Sequence, residues 1–206
     1  MSGAARTSGR KPWVRAFSLT EVLVVLAIIV VLMALVVPTT QGPLESGRIA
    51  QAATILSSQL SIARQKAIAE NRPIIVRFIR RDSTSSFDRI QLVASDPTGN
   101  LSPVERVAAF PVGTALSQSS ELSSLIQATP ETAATVKDPS VPGFGNSYRY
   151  VQFSFRPGGS LDLDITKLWF GTVLLLRCDS AIGETPANFV TYQIDPVNGS
   201  VSTFRR

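Results

Sequence analysis

The chain has 206 residues, which is enough for one ordinary domain with an appendage, and its formal net charge is +5. Its 44% hydrophobic content is enough to form a core. It has no histidine, which excludes Ser-His-Asp and Cys-His catalysis and all His-ligated metal sites. Its single cysteine, Cys178, excludes an internal disulfide and any Cys-rich metal site. We therefore predict a protein that is not an enzyme, with no cofactor, no metal site and no small-molecule substrate.

Most of the positive charge lies in a short N-terminal leader. Residues 1–16 contain Arg6, Arg10, Lys11 and Arg15 and no acid, so they carry +4 and leave +1 for the remaining chain. A nucleic-acid-binding domain carries its positive charge on the folded part, so nucleic acid is not an expected partner. The terminal Arg205 and Arg206 are the candidates for DNA contact, but two charges provide only weak, salt-sensitive binding.

An apolar run follows the leader. Val22 to Val37 contains no polar side chain, and counting from Phe17 gives a segment about 31 Å long as a helix, close to the ~30 Å hydrocarbon core of a bilayer. We predict one membrane-spanning helix over residues 17–37, in the inner (cytoplasmic) membrane, with the leader in the cytoplasm and residues 38–206 on the far side. A cleaved signal peptide, an uncleaved anchor and a processed assembly helix remain as alternatives.

Glu21 is an unusual residue at the start of this apolar helix. An ionisable side chain in a membrane segment costs about 2.5–3.5 kcal/mol at mid-helix and less near an end, so such residues normally have a partner. Cleavage between Ala16 and Phe17 would create an amino group four residues before Glu21, and a neighbouring copy's Glu21 could also reach it. The pairing would be strong in a low dielectric.

The next segment predicts a second, amphipathic helix over residues 44–70. Pro38 and the Gly42-Pro43 pair are expected to break or kink the chain before it. Apolar residues then recur at steps of three and four, which predicts that one stripe packs on the domain's own sheet. The stripe consists of Ile49, Ala52, Ala53, Leu56, Leu60, Ala63 and Ala67.

Strand patterns occupy most of the remaining chain. Predicted strands cover residues 74–79, 87–93, 104–112 (weaker), 148–155, 168–178, 189–194 and 201–204, and Asn198-Gly199 marks a hairpin turn. Residues 113–147 are rich in Ser, Thr, Pro and Ala and are predicted to be the least ordered part, a long loop or insertion. The predicted class is α+β: a long N-terminal helix, spanning the membrane in its first half and amphipathic in its second, packed on an antiparallel sheet.

Three further patterns favour simple structural roles. Gly158-Gly159 lacks the spacing and the lysine of a phosphate-binding loop, and a hairpin turn accounts for it. Asp162 and Asp164 point the same way on a strand, but two carboxylates fall short of the six to eight oxygens that calcium prefers. Cys178, after three leucines, is expected to be a buried structural thiol.

The N-terminal pattern resembles a known family. A basic leader, a small residue, Phe17-Ser18-Leu19-Thr20-Glu21 and an apolar helix followed by Pro38 resemble the class III signal of type IV pilins and type II secretion pseudopilins. The resemblance implies that a prepilin peptidase cuts between Ala16 and Phe17, that Phe17 is N-methylated, and that Glu21 meets a neighbour's amine in a filament. The family usually has Gly before the cut, where this chain has Ala16.

The resemblance extends into the body of the chain. Residues 61–74, Phe155-Arg156-Pro157-Gly158-Gly159 and residues 193–199 resemble the H-type (FimT-like) minor pseudopilins, and within them the pilin-like set called Verru/Chthon cassette protein D. The implied function is a minor pilin or pseudopilin whose partners are the inner membrane, the peptidase and other pilin subunits. A membrane-anchored binding module that does not assemble, and a DNA-binding minor pilin for DNA uptake, remain as alternatives.

Overall fold

The computed structural model describes residues 18–36, 41–83, 85–96, 98–176 and 188–205, apart from the side chains of residues 34–36 and 41–43. Contacts divide the chain into two units, Met1–Gly42 and Pro43–Arg206. Several predictions concern residues outside the described ones, namely the leader 1–16 with Ala16, then Phe17, Pro38, Cys178 and Arg206.

Helix α1 comprises Leu19–Val36, the central part of the predicted apolar segment. Its sequence is apolar on every side after the first turn, so it has no polar stripe that would mark a solvent-facing side. All of its described side chains are exposed. In the part of the chain that the structure describes, no helix meets the combined length and hydropathy needed to span a bilayer.

Helix α2 comprises Gln41–Ala69, and its apolar stripe is buried as the sequence predicts. The seven stripe residues, from Ile49 to Ala67, are between 0% and 7% exposed and belong to the main hydrophobic core. Pro43 does not break the helix but lies in its first turn, where the missing N–H has no helical acceptor in any case. The predicted continuity of the membrane segment with α2 as one long helix stays a prediction.

The described residues also form two antiparallel sheets, where the sequence predicted one. The strands are β1 Ile74–Arg80, β2 Arg89–Ser95, β3 Leu101–Pro103, β4 Ala108–Ala109, β5 Thr114–Leu116, β6 Thr132–Ala133, β7 Arg149–Phe155, β8 Trp169–Leu175, β9 Val190–Ile194 and β10 Val201–Arg205. The first sheet has the order β3-β2-β1-β7-β6, with β4 also paired to β2, and the second has the order β10-β9-β8-β5. The predicted α+β class is confirmed.

The two faces of the first sheet have different coverings. Val76 and Phe78 of β1 lie in the main core with the α2 stripe, where the Phe78 and Phe153 ring centroids are 6.0 Å apart. Alternate residues point the other way, and Ile79 belongs to a second cluster with Val141, Tyr148 and Tyr150. We call this second side of the first sheet the outer face.

The expectation that residues 113–147 are the least ordered part stays a prediction, although short elements and buried side chains lie within them. They contain β5, a 3₁₀ turn at Ser124–Gln127 and β6. Leu116 and Leu125 are fully buried in the main core, and Val141 is buried in the outer-face cluster. That the segment is an insertion stays a prediction.

The predicted strand over residues 104–112 is wrong, because this stretch contains only the two-residue strand β4. The hairpin at the C-terminus is confirmed: β9 and β10 pair antiparallel, and the turn between them places Gly199 at φ +67°. A Cβ at Gly199 would lie 2.1 Å from the Gly159 carbonyl oxygen, so two glycine turns approach each other too closely for any side chain.

Candidate functional site at the start of helix α1

Ser18 and Glu21 form a reciprocal capping box at the start of α1. The Glu21 backbone N–H donates to Ser18 Oγ at 3.2 Å, and the Ser18 backbone N–H donates to Glu21 Oε2 at 3.0 Å. Both bonds satisfy backbone donors that have no carbonyl partner in the first turn. The sequence signal for this arrangement, a Ser three residues before a Glu at the start of an apolar run, was present, but sequence reasoning interpreted Glu21 only as a charge.

The capping box offsets part of the free-energy cost of placing a carboxylate at this position. Glu21 lies in the first turn of α1, where the partial positive charge of the helix N-terminus favours an anion. Glu21 therefore has a hydrogen-bond partner within its own chain, in addition to any partner that an assembly would supply. Its predicted pairing with a neighbour's amino group stays a prediction, as does the cut between Ala16 and Phe17.

The rest of α1 presents an apolar surface with shallow hollows. The exposed fractions of its large side chains, among the described residues, range from 45% for Ile29 to 83% for Leu19. One hollow of about 470 Å³ is lined by Leu19, Val22, Leu23 and Leu26. Side-chain ridges with hollows between them can interlock with another helix or accommodate lipid chains, and they offer no group for chemistry.

The other site residues proposed from sequence lie apart from α1 in the chain and have local partners. Asp162 accepts hydrogen bonds from the N–H and the hydroxyl of Ser154, each at 2.7 Å. Asp164 accepts from the hydroxyl and the N–H of Thr166, and these bonds hold the pKa of Asp164 below its ordinary value. The described part of the chain contains no group of three or more Asp, Glu, Cys or His side chains suited to a metal ion. Arg205 lies on the edge strand β10 and is exposed.

Sequence reasoning missed a buried ion pair on the outer face. Arg77, 2% exposed, donates to Asp138 Oδ1 at 2.8 Å and to Gln152 Oε1 at 3.0 Å, and its guanidinium lies 4.0 Å from the Tyr150 ring centroid. Burial works against ionisation of Asp138, but hydrogen bonds from the Thr135 N–H and hydroxyl and from Arg77 hold its pKa below the ordinary value. The only sequence signal was Arg77 itself, a charged residue in the otherwise apolar predicted strand 74–79.

A second arginine cluster links residues 113–147 to the first sheet. Glu131 accepts hydrogen bonds from Arg80 and from Arg149, the latter at 2.7 Å. The Arg80 bond, which is the largest cause, and the Arg149 bond both lower the pKa of Glu131. Arg80 also donates to the Ser83 carbonyl at 3.0 Å and to Gln118 Oε1 at 3.1 Å. These contacts link Glu131 and Gln118, both within residues 113–147, to Arg80 on β1 and Arg149 on β7.

Comparisons with known proteins give one distant likeness. No family model matches the chain, and no curated protein matches it. Among solved structures, the chain is similar to the minor pseudopilin EpsH from the type 2 secretion system of Vibrio cholerae, with a TM-score of 0.43 and 9% sequence identity over 75% of this chain and 96% of that chain. A likeness at this level assigns neither a family nor a function.

Proposed function

We propose that the chain is a pilin-like structural subunit, a minor pilin or pseudopilin, held in the inner membrane by residues 17–37 and assembled through that segment into a pilus or pseudopilus. In this proposal the leader 1–16 is removed by a prepilin peptidase and Phe17 is N-methylated. The observation that carries the proposal is α1, a helix with exposed apolar side chains on all sides and a carboxylate in its first turn.

The surface of α1 restricts what can surround it. An apolar surface of this extent in a folded protein marks a contact with lipid or with another protein. Each large apolar side chain contributes about 1.5–3 kcal/mol when it is buried instead of exposed to water. Transfer from a bilayer into a bundle of like helices keeps all of these side chains out of water, so the helix can leave the lipid without that cost.

Glu21 would determine the register of such a bundle. Its carboxylate is held at the start of α1 by the bond to the Ser18 N–H. In the sequence, Glu21 lies four residues after the amino group that cleavage would create. A pair between Glu21 and a neighbour's amino group fixes which turns of adjacent helices meet, as single polar residues do in other helical assemblies. The apolar contacts would supply most of the binding free energy.

The test separates the capping role of Glu21 from the proposed pairing role. Glu21→Gln keeps a side chain that is able to complete the capping box but removes the charge. We expect this variant to insert into the membrane at the wild-type level and to be absent from sheared filaments or purified pseudopili, as judged by immunoblotting. Ser18→Ala is the matched control, because it removes the hydroxyl that caps α1 and leaves the carboxylate in place.

The two variants distinguish the alternatives. Wild-type incorporation of Glu21→Gln would contradict the pairing role, and loss of incorporation in Ser18→Ala alone would show that Glu21 acts only through the helix cap. Loss in Glu21→Gln with near-normal incorporation of Ser18→Ala is the expected result.

A further inference from the structure

A cavity of about 610 Å³ adjoins the outer face of the first sheet. Gln91 lines it from β2, Pro103 to Val107 form one wall, and Ser140 and Pro142 form the other. The cavity is unrelated to α1, so an inference drawn from it does not depend on the proposed assembly function.

The wall from Pro103 to Val107 exists because the edge of the sheet bulges. Strand β2 pairs with β3 through Val93–Ser95 and with β4 through Arg89–Ile90. Between these pairings, the four residues 104–107 lie opposite only Gln91 and Leu92, so the chain must leave the sheet. Such bulges create local openings at sheet edges and redirect side chains.

Gln91 is a polar residue whose hydrogen-bonding groups are not satisfied among the described residues. Its side chain is fully buried, and neither its amide oxygen nor its amide nitrogen has a hydrogen-bond partner among the described residues. Arg77, directly opposite Gln91 on β1, instead bonds Gln152 and Asp138. A buried amide with both groups unpaired is costly, and such groups in native proteins call for a partner.

We propose that this cavity binds a short uncharged peptide in an extended conformation, recognised by the Gln91 amide. In an extended chain the N–H and C=O of one residue point to the same side, so one residue can donate to the Gln91 oxygen and accept from its nitrogen. Pro103, Val104, Val107 and Pro142 provide apolar contacts for the flanking side chains. Glu105 and Arg106 bring one negative and one positive charge to the cavity. Because these charges balance, the cavity has no preference for a ligand with phosphate groups.

The two walls differ in how firmly the fold holds them. Next to Ser140, the Tyr148 hydroxyl donates to the Pro139 carbonyl at 2.8 Å, and Arg89 donates to the Pro142 carbonyl at 2.5 Å. On the opposite wall, the Val104 N–H donates to the Leu92 carbonyl at 2.9 Å, and strand pairing resumes only at Ala108. Glu105 and Arg106 are exposed. Because Gln91 is enclosed, a peptide reaches its amide when residues 105–107 move outward.

The test uses the full-length chain in detergent micelles and the capped pentapeptide acetyl-Thr-Val-Thr-Val-Thr-amide. The side-chain amide signals of Gln91 are followed by NMR, assigned by their loss in Gln91→Met. We expect saturable shifts of these signals at millimolar peptide, and binding at least about tenfold weaker to Gln91→Met, which keeps the shape but has no comparable donor or acceptor. Gln193→Met, in the second sheet, is the matched control and is expected to bind like the wild type.

A second peptide tests the hydrogen-bond pairing. Replacing the N–H of the central residue by an ester oxygen removes one of the two bonds, so we expect weaker binding to the wild type and no further loss in Gln91→Met. Absence of Gln91 shifts at millimolar peptide would overturn the proposal, as would equal affinities of wild type and Gln91→Met. Gln91 shifts that depend on protein concentration without peptide would identify a second copy of the chain as the occupant and would also overturn it.

Discussion

Helix α1 and the domain formed by residues 43–205 place their apolar side chains in opposite environments. In α2 the apolar residues form one stripe, and that stripe is buried against the two sheets. In α1 the apolar residues cover every side, and the described ones are exposed. The domain therefore has its own core, whereas α1 has an apolar surface of the kind that contacts lipid or another protein.

The polar groups show the same contrast. The outer face of the first sheet contains arginines whose charges are matched by Asp138 and Glu131 within the domain. The Glu21 carboxylate accepts a hydrogen bond from the Ser18 N–H in its helix cap, and no ion pair among the described residues includes it. The comparison predicts that the stability of the domain and the proposed assembly are separable: substitutions in the domain should change unfolding, and substitutions in α1 should change association.

The largest expected effect is from Asp138→Ala. The variant leaves Arg77, 2% exposed, without its carboxylate partner, and breaking one side of a buried ion pair costs about 3–5 kcal/mol. We expect a free energy of unfolding lower by that amount in urea denaturation followed by Trp169 fluorescence. Asp164→Ala, on an exposed loop, is the control and should change it by under about 1 kcal/mol. Equal effects of the two substitutions would contradict the assigned role of the ion pair.

A pair of leucine substitutions tests the contrast between the helices. Leu56→Ala in α2 removes a fully buried side chain and should lower the free energy of unfolding of the domain by about 2–5 kcal/mol. Leu26→Ala in α1 removes a side chain that is 63% exposed and should leave the unfolding of the domain unchanged. A similar loss of stability in both variants, measured in the same urea titration, would contradict the distinction between α1 and the domain.

Acid should weaken the domain through the same carboxylates. The pKa values of Asp138 and Glu131 are lowered in the folded state, so their stabilising contribution is complete above the ordinary carboxyl pKa of about 4 and is lost as the pH falls through the lower folded values. We expect the thermal midpoint to be flat from pH 7 to about pH 5 and to fall below about pH 4. The fall should be smaller in Asp138→Asn, and an identical acid profile in that variant would contradict the assignment.

The smallest effect concerns the helix cap. Ser18→Ala removes the hydroxyl that accepts from the Glu21 N–H and should cost about 1 kcal/mol of local helix stability. Hydrogen exchange of the first-turn amides of α1 in micelles should accelerate several-fold, and exchange in β1 should be unchanged. Unchanged exchange at Glu21 would show that the cap bond contributes nothing in a membrane-like environment.

The sequence pattern predicted the elements that depend on regular spacing within one helix or on pairing between neighbouring strands of the chain. The stripe from Ile49 to Ala67 follows directly from helical spacing, and the β9–β10 hairpin follows from alternation around Asn198-Gly199. The strands within residues 113–147 were not predicted, because β5 pairs with β8 and β6 pairs with β7, and these partners are distant in sequence. No window of neighbouring residues contains that information.

The candidate site was predicted in part. The importance of Glu21 was inferred from its charge in an apolar setting, but its partner Ser18 was missed even though the spacing of the capping box was readable. The orphaned amide of Gln91 could not be predicted, since the bulge at residues 104–107 that isolates it emerges only from strand pairing.

The most direct test of the assembly account is the intact mass of the chain recovered from membranes of its native host. The account predicts a polypeptide that begins at Phe17, lacks residues 1–16 and carries one additional methyl group. A chain that still begins at Met1 would support an uncleaved anchor, and a chain cut beyond residue 37 would support a secreted protein. Either result would contradict the account.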